Sequence, residues 1–124
     1  MLLSCGVDIV SIKRVEKLLE RYGDRFIKKV FPEGIEYCYQ KRKGEFAGCI
    51  AARFALKEAI IKALSGIGKK VTLSEIVIIG GGKNLEVKLK NHKEIQLIYS
   101  ISHEKDYAVA MVNVIKLNKF ESAE

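Results

Sequence analysis

The sequence predicts an α+β fold in which a long central helix and shorter N-terminal helices pack on an antiparallel β-sheet. Residues 45–64 are dominated by Ala, Ile, Leu, Phe, Lys and Glu and lack proline, which is typical of a long helix. From residue 74 onward, β-branched or alternating runs are separated by turn residues. The length of 124 residues fits one domain over residues 1–124, without room for a second core.

The chain begins with a predicted strand and an amphipathic helix. The strand covers residues 2–10, and Gly6 near its centre allows the backbone to kink or to approach another group closely. Ser11 can cap the following helix, and Gly23 is a typical helix stop. The apolar side chains between them recur at helical spacing.

Two short helices are predicted to precede the central one. The second helix of the chain carries Phe26, Ile27 and Val30, and Pro32 is interpreted as the first residue of a third, which holds Ile35, Cys38 and Tyr39. Residues 41–44 then form a charged loop. In the central helix, alanines keep one side narrow enough for another backbone to pack closely against it; they stand at positions 51, 52, 55, 59 and 63.

The last part of the chain predicts four strands in one antiparallel meander. They cover residues 75–79, 85–89, 95–101 and 107–115. Gly80-Gly81-Gly82 is expected to form a hairpin turn, since it lacks the spacing of a phosphate-binding loop. The three cysteines, at positions 5, 38 and 49, are an odd number without a Cys-x-x-Cys pair, so we expect buried thiols and neither a disulfide framework nor a zinc site.

The net charge of +7 comes from the first part of the chain, because residues 1–70 hold 15 basic and 8 acidic side chains and residues 71–124 hold 7 of each. This favours an acidic partner, whether nucleic acid, an acidic protein or a phosphate-rich ligand. The longest runs without a charged residue are nine residues long, against the ~20 that span a bilayer, so no membrane segment is expected. The N-terminus lacks the basic region of a signal peptide, and we expect a cytoplasmic protein.

Three side chains stand out as able to carry chemistry. Asp8 lies inside an apolar segment, either as a functional acid or as a strand-end residue that caps the next helix. Glu58 shares one predicted helix face with Phe54, Lys62 and Ser65, and it could be functional or part of a surface ion pair with Lys62. His103 ends a strand at a loop tip, where phosphate binding, proton transfer or no role at all are open.

Four motifs in order along the chain resemble those of the holo-acyl-carrier-protein synthases, in the 4′-phosphopantetheinyl transferase superfamily. They are Gly6-Val7-Asp8-Ile9, Arg53-Phe54-Ala55-Leu56-Lys57-Glu58-Ala59 with Lys62, Gly66-Ile67-Gly68, and Ser100-Ile101-Ser102-His103. The resemblance covers essentially the whole chain, and its length is similar to that of the short, homotrimeric branch. Members often carry Gly-Lys-Pro where this sequence has Gly82-Lys83-Asn84.

The resemblance implies a transferase that moves phosphopantetheine from coenzyme A to a serine of an apo acyl carrier protein, releases adenosine 3′,5′-bisphosphate and supports fatty acid biosynthesis. Asp8 and Glu58 would hold Mg²⁺, which needs only one or two carboxylates beside phosphate and water. Glu58 and Lys62 are implied to be catalytic, with Lys62 on the diphosphate. Arg53, Lys62, Gly66 and His103 are implied to bind the coenzyme. The general base stays open between Glu58 and another group.

The resemblance also implies partners. Active sites would lie between subunits of a homotrimer, with Asp8 and His103 from one chain and Glu58 from the next, and the narrow alanine face and the apolar last strand are possible contact surfaces. Arg14, Arg21 and Arg25 would receive the acidic acyl carrier protein, whereas a solvated basic face is the simpler alternative.

Two functions of other classes compete with the transferase. A small basic nucleic-acid-binding protein is favoured by the pI of 9.3 and by Lys41-Arg42-Lys43, but no strand carries the aromatic pattern of an RNA-binding sheet. A non-catalytic interaction domain leaves the acid at position 8 and the ordered motifs without a reason. We therefore expect no nucleic acid and no membrane among the partners.

Overall fold

A long helix packed across a three-stranded antiparallel sheet forms the centre of the structure, a computed structural model that describes residues 1–117. The elements are β1 (Leu2–Ser11), α1 (Ile12–Tyr22), α2 (Asp24–Val30), α3 (Glu36–Tyr39), α4 (Phe46–Ser65), β2 (Ile76–Ile79), β3 (Glu86–Leu89), β4 (Ile95–His103) and β5 (Tyr107–Lys116). The α+β class is confirmed, and the last seven residues of the predicted domain lie outside the described residues. Up to residue 117, no helix is both long and apolar enough to cross a membrane.

The ends of the N-terminal helices follow the local sequence signals. The Ser11 side chain accepts a hydrogen bond from the backbone N–H three residues later, and Gly23, with φ of +52°, ends α1 in a left-handed conformation. The prediction that Pro32 begins α3 is wrong, since that helix starts four residues later. Gly34 has φ of +99°, which a right-handed helix cannot contain.

The strand β1 crosses α4 at a point where both elements lack bulk. A Cβ atom on Gly6 would overlap the Ala59 carbonyl oxygen and lie 3.1 Å from the Ala63 Cβ. The narrow side of α4 therefore does receive another backbone, as predicted, and that backbone belongs to the same chain. All five alanines of this side are almost fully buried, so they are core residues and not a free surface for subunit contact.

The predicted four-stranded meander is wrong, because the strands form two sheets. One sheet has the order β1-β5-β4 and the other pairs β2 with β3. The Tyr99 hydroxyl of β4 bridges the two: it accepts a hydrogen bond from the Val87 N–H and donates one to the Leu85 carbonyl oxygen, both at 3.1 Å. A side chain thus takes the place of a backbone ladder between β3 and β4, and the glycine turn at 80–82 joins β2 to β3 as predicted.

The expectation of three buried thiols is also wrong. Cys38 of α3 and Cys49 of α4 form a disulfide, with their Cα atoms 5.6 Å apart. Cys5 lies exposed on β1. The spacing of eleven residues carries no local pairing signal, and only the packing of α3 against α4 brings the two sulfur atoms together.

A buried ion pair joins α4 to the segments around it. The Lys57 ammonium, with no exposed surface, donates to the carbonyl oxygens of Val30 (2.7 Å) and Leu73 (2.9 Å) and to the Glu33 carboxylate (3.0 Å). The same carboxylate accepts a hydrogen bond from the Ile78 N–H at 3.0 Å. Burial lowers the pKa of Lys57, and the hydrogen bond that Lys57 donates to Glu33 opposes this shift. The pair therefore fixes the end of α2 and the start of β2 on α4.

We expect Glu33→Gln to destabilise the protein strongly. Losing one partner of a buried pair leaves the other charge uncompensated, which typically costs about 3–5 kcal/mol of unfolding free energy. Chemical denaturation followed by circular dichroism measures this, with Glu36→Gln, an exposed acid at the start of α3, as the control. Equal unfolding free energies for the two variants would contradict the structural role of the pair.

Candidate active site

The crossing of β1 over α4 places an acid of the strand on a basic residue of the helix. The Lys62 ammonium donates to the Asp8 carboxylate at 2.7 Å and lies 3.3 Å from the Val7 carbonyl oxygen. Glu58 is one helical turn before Lys62 on the same face of α4 and is half-buried. One chain therefore gathers Asp8, Glu58 and Lys62 in one place.

The two acids act on the same ammonium group. The hydrogen bond to Asp8 raises the pKa of Lys62, and the charge of Glu58 adds a smaller increase. The Asp8 side chain is 15% exposed and that of Lys62 57% exposed, so the carboxylate is partly shielded while the ammonium can reach a ligand in solvent. The group is thus held protonated and at the surface.

These positions decide between the alternatives that the sequence leaves open. Asp8 is not a helix cap, because Ser11 caps α1 itself. Glu58 is not the ion-pair partner of Lys62 among the described residues, since that partner is Asp8. The predicted face of Phe54, Glu58, Lys62 and Ser65 is confirmed: these positions are partly or fully exposed, while most others on α4 are buried.

The family resemblance assigned Asp8 and Glu58 to different chains, whereas a single chain already brings both acids to Lys62. The glycine in β1 lets that strand lie directly on α4 of its own chain, and this contact carries Asp8 to Lys62 and the neighbouring Glu58. Gly66, another predicted coenzyme-binding residue, follows the last turn of α4, where a Cβ atom would lie 3.0 Å from the Ser4 hydroxyl of β1. It therefore lies at the same crossing of strand and helix.

The cluster suits a divalent cation of the magnesium type. Within residues 1–117 no group of three or more His, Cys, Asp and Glu side chains forms a metal site made by the protein alone. One or two carboxylates are the protein ligands that Mg²⁺ uses when phosphates and waters supply its other ligands. Asp8 and Glu58 fit that requirement: Asp8 binds the Lys62 ammonium, and the charge of Glu58 acts on the same group.

A cavity of about 220 Å³ lies beside the first half of α4, before the acid–lysine cluster. Arg53 and His103 line it, together with Tyr37, Lys41 and Gly81, none of which the sequence analysis assigned to the coenzyme site. His103 packs against Gly48 in the first turn of α4, where a Cβ atom would lie 2.7 Å from its Nδ1. Two of the three basic residues that the sequence predicts at the coenzyme, Arg53 and His103, therefore share one cavity, and Lys62 does not line it.

Arg53 is buried with a backbone partner. It is 3% exposed, and its guanidinium donates a hydrogen bond to the Gly80 carbonyl oxygen. Burial lowers the pKa of Arg53 below its ordinary value, while the nearby acids Glu33 and Glu36 oppose the shift. In this arrangement Arg53 holds the glycine turn after β2 and presents its charge at the cavity wall. The three consecutive glycines were the one signal in the sequence for such a close contact.

The acid–lysine cluster and the Arg53–His103 cavity are separate within one chain. Gly48, which touches His103, precedes Glu58 by ten residues of α4, and ten residues of helix measure about 15 Å along the axis. Arg53 is nearer, five residues or about 7.5 Å before Glu58, so the two groups of predicted site residues lie along the first and the second half of the same helix.

An apolar cavity of about 420 Å³ lies beside α1 and α2, and its basic lining residues are Arg25 and Lys29 of α2. Arg14, Arg21 and Arg25 are exposed as predicted, and the last two lie 5.4 and 5.6 Å from the ring centroid of Tyr22. Inside the cavity, Phe26 and Phe54 meet edge to face at 5.9 Å. Phe54 is one turn before Glu58, so this cavity opens beside the acid–lysine cluster.

Comparison with known proteins decides which family this chain represents. The family model of the 4′-phosphopantetheinyl transferase superfamily matches residues 4–112. The chain belongs to this superfamily. The chain is 42% identical to the holo-[acyl-carrier-protein] synthase of Thermodesulfovibrio yellowstonii, over 90% of this chain and 97% of that protein. It is 43% identical to the synthase of Oceanobacillus iheyensis, over 90% and 95% of the two chains.

Solved structures agree with the sequence comparison. The transferase superposes on the Helicobacter pylori holo-[acyl-carrier-protein] synthase in complex with coenzyme A with a TM-score of 0.74 and 39% identity, covering 90% of this chain and 99% of that one. The predicted family, fold and enzyme class are therefore confirmed.

Proposed function

We propose that this transferase moves 4′-phosphopantetheine from coenzyme A to a serine of an apo acyl carrier protein, with Mg²⁺, and releases adenosine 3′,5′-bisphosphate. The observation that carries the proposal is the convergence of Asp8, Glu58 and Lys62 beside an open apolar cavity. Magnesium-dependent labelling of an apo carrier protein by a fluorescent coenzyme A analogue tests it. No labelling in the presence of Mg²⁺ would contradict it.

The residues of the cluster would divide the work of the reaction. Asp8 and Glu58 would hold Mg²⁺, which when bound neutralises charge on the diphosphate oxygens. Lys62 is exposed and protonated, so it can turn from Asp8 to an oxygen of the diphosphate and stabilise the charge that grows on the leaving group. Glu58 or another group would accept the serine proton.

We propose a homotrimer with active sites between subunits. Its support is the outer face of the three-stranded sheet, which is apolar and exposed: Val7 is 59%, Ile9 65%, Ile98 50%, Val109 39% and Met111 50% exposed. The pairing register aligns Val7 with Met111 and Ile9 with Val109 on that face. A contiguous exposed apolar patch of this kind marks an interaction surface.

The two site groups lie apart along α4 of one chain, so a neighbouring subunit in the trimer would bring the second group to the first. We propose that Asp8, Glu58 and Lys62 of one subunit act with Arg53 and His103 of the neighbouring subunit on one coenzyme molecule. Gly66, at the crossing of β1 and α4, would belong to the first group.

We also propose that Arg14, Arg21 and Arg25 receive the acidic carrier protein. The cavity beside them, floored by Phe26 and Phe54, would take an apolar side chain of the carrier and direct its serine towards Glu58. The reaction would supply holo carrier protein for fatty acid biosynthesis in the cytoplasm.

We expect the double variant Arg14→Glu/Arg21→Glu to raise the KM for the carrier protein about tenfold at low ionic strength and to flatten its salt dependence. The reason is that exposed charges at an interface steer the encounter and are screened by salt. Coenzyme A kinetics should change little. The control is Lys88→Glu/Lys90→Glu, which makes the same change of net charge at exposed positions around β3. Carrier kinetics equal to those of the control would rule out this docking surface.

A further inference from the structure

Tyr37 of α3 lies at the centre of the contacts that form the Arg53–His103 cavity. It is half-buried, and the Gly81 backbone lies on its ring, so that a Cβ atom at position 81 would overlap the Cγ and Cδ atoms. Arg53 Cζ lies 5.3 Å and Lys41 Nζ 4.6 Å from the ring centroid. One aromatic ring therefore contacts the glycine turn and two cations of the cavity wall.

The segment that carries Tyr37 is itself anchored. Cys38, the next residue, is bonded to Cys49 of α4, which lines the same cavity. The Arg53 guanidinium makes two contacts: it donates a hydrogen bond to the Gly80 carbonyl oxygen, and it packs on the Tyr37 ring. Cation–π contact of a desolvated guanidinium is worth more than that of an exposed one. Loss of the ring would therefore leave Arg53 held by the Gly80 carbonyl oxygen and would remove the aromatic contact of both Arg53 and the glycine turn.

We propose that Tyr37 is a positioning residue that holds Arg53 and the turn 80–82 in place and so sets the affinity for the nucleotide end of coenzyme A. This inference rests on the proposed function, because it takes the Arg53–His103 cavity as the coenzyme site. The ring acts through its face. The hydroxyl makes no hydrogen bond among the described residues, so phenylalanine can replace tyrosine. Leucine cannot, because it has neither a π face nor a planar surface for Gly81.

The test compares substitutions at positions 37 and 39 of the same short helix. Tyr37→Leu should raise the KM for coenzyme A and the Kd for adenosine 3′,5′-bisphosphate, measured by calorimetry, about tenfold, with kcat within about twofold and the carrier KM unchanged. Tyr37→Phe should restore wild-type values. The control is Tyr39→Leu, at an exposed position that stacks on Phe46 and does not line the cavity, and it should match the wild type.

A second variant keeps the inference testable if Tyr37→Leu fails to fold. Gly81→Ala pushes a methyl group against the intact ring and should raise the same two constants. Wild-type constants in folded Tyr37→Leu, or in Gly81→Ala where Tyr37→Leu does not fold, would overturn the role of Tyr37, as would a Tyr37→Phe variant as weak as Tyr37→Leu. If the wild-type chain itself binds no bisphosphate and transfers nothing, the proposed function fails together with this inference, which separates the two cases.

Discussion

Asp8→Asn and Glu58→Gln are each expected to lower magnesium-dependent transfer by roughly 100-fold or more while leaving a folded protein. Both changes keep the shape of the side chain and remove its negative charge. A metal ion contributes several kcal/mol of charge stabilisation in such a reaction, and each 1.36 kcal/mol is a factor of ten in rate. Stability should change little, because the ion pair that Asp8 makes involves an exposed lysine and such pairs contribute little.

Carrier labelling at several magnesium concentrations measures the loss, and thermal denaturation verifies the fold. A smaller loss that extra Mg²⁺ restores would indicate weakened metal binding, whereas a loss that no concentration restores would indicate a role in the chemical step. Glu86→Gln, an exposed acid of β3, is the control for the loss of one negative charge. Turnover near the wild-type value in either variant would show that the acid concerned is not a ligand.

Met111→Glu is expected to convert the proposed trimer to folded monomers and to reduce transfer roughly 100-fold. Met111 is half exposed at the centre of the apolar sheet face, so a carboxylate there is solvated in one chain and buried without a partner in an assembly. Burying an unpaired charge costs several kcal/mol, enough to dissociate the interface and with it the shared site. Light scattering and carrier labelling measure the two effects.

The control for this variant is Tyr39→Glu, which places the same charge on an exposed aromatic position of α3. A wild-type chain that is monomeric and fully active at the assay concentration would contradict the shared site.

Mixed assemblies test which residues come from which subunit. If the acid cluster of one chain works with Arg53 and His103 of the next, mixing Asp8→Asn with His103→Ala chains should restore part of the activity. Mixing Asp8→Asn with Glu58→Gln chains should restore no activity. In that arrangement both acids of a site come from one chain, so every site in this mixture lacks one of them. Recovery in the second mixture alone would support the other division of the site, in which Asp8 and Glu58 come from different subunits.

The elements of this fold are predictable where the signal is local. A serine before α1 and a glycine after it set the bounds of that helix, because both act through hydrogen bonds or dihedral angles of neighbouring residues. The composition of residues 45–64 sets α4 to within one residue. α3 was placed too early, since the left-handed Gly34 outweighs the preference of proline for a first helical turn.

The order of motifs was enough to identify the family. It also proposes Asp8, Glu58 and Lys62 as site residues, because Mg²⁺ and a diphosphate require carboxylates and a cation. Their grouping within one chain depends on β1 lying against α4 at Gly6. The sequence indicates only that Gly6 and the alanines of α4 leave room for this contact. The division of the strands into two sheets, the Cys38–Cys49 pair and the position of Tyr37 on Arg53 and Gly81 were decided by tertiary structure alone. Each depends on contacts between segments distant along the chain, whose energies come from packing and not from local backbone preference.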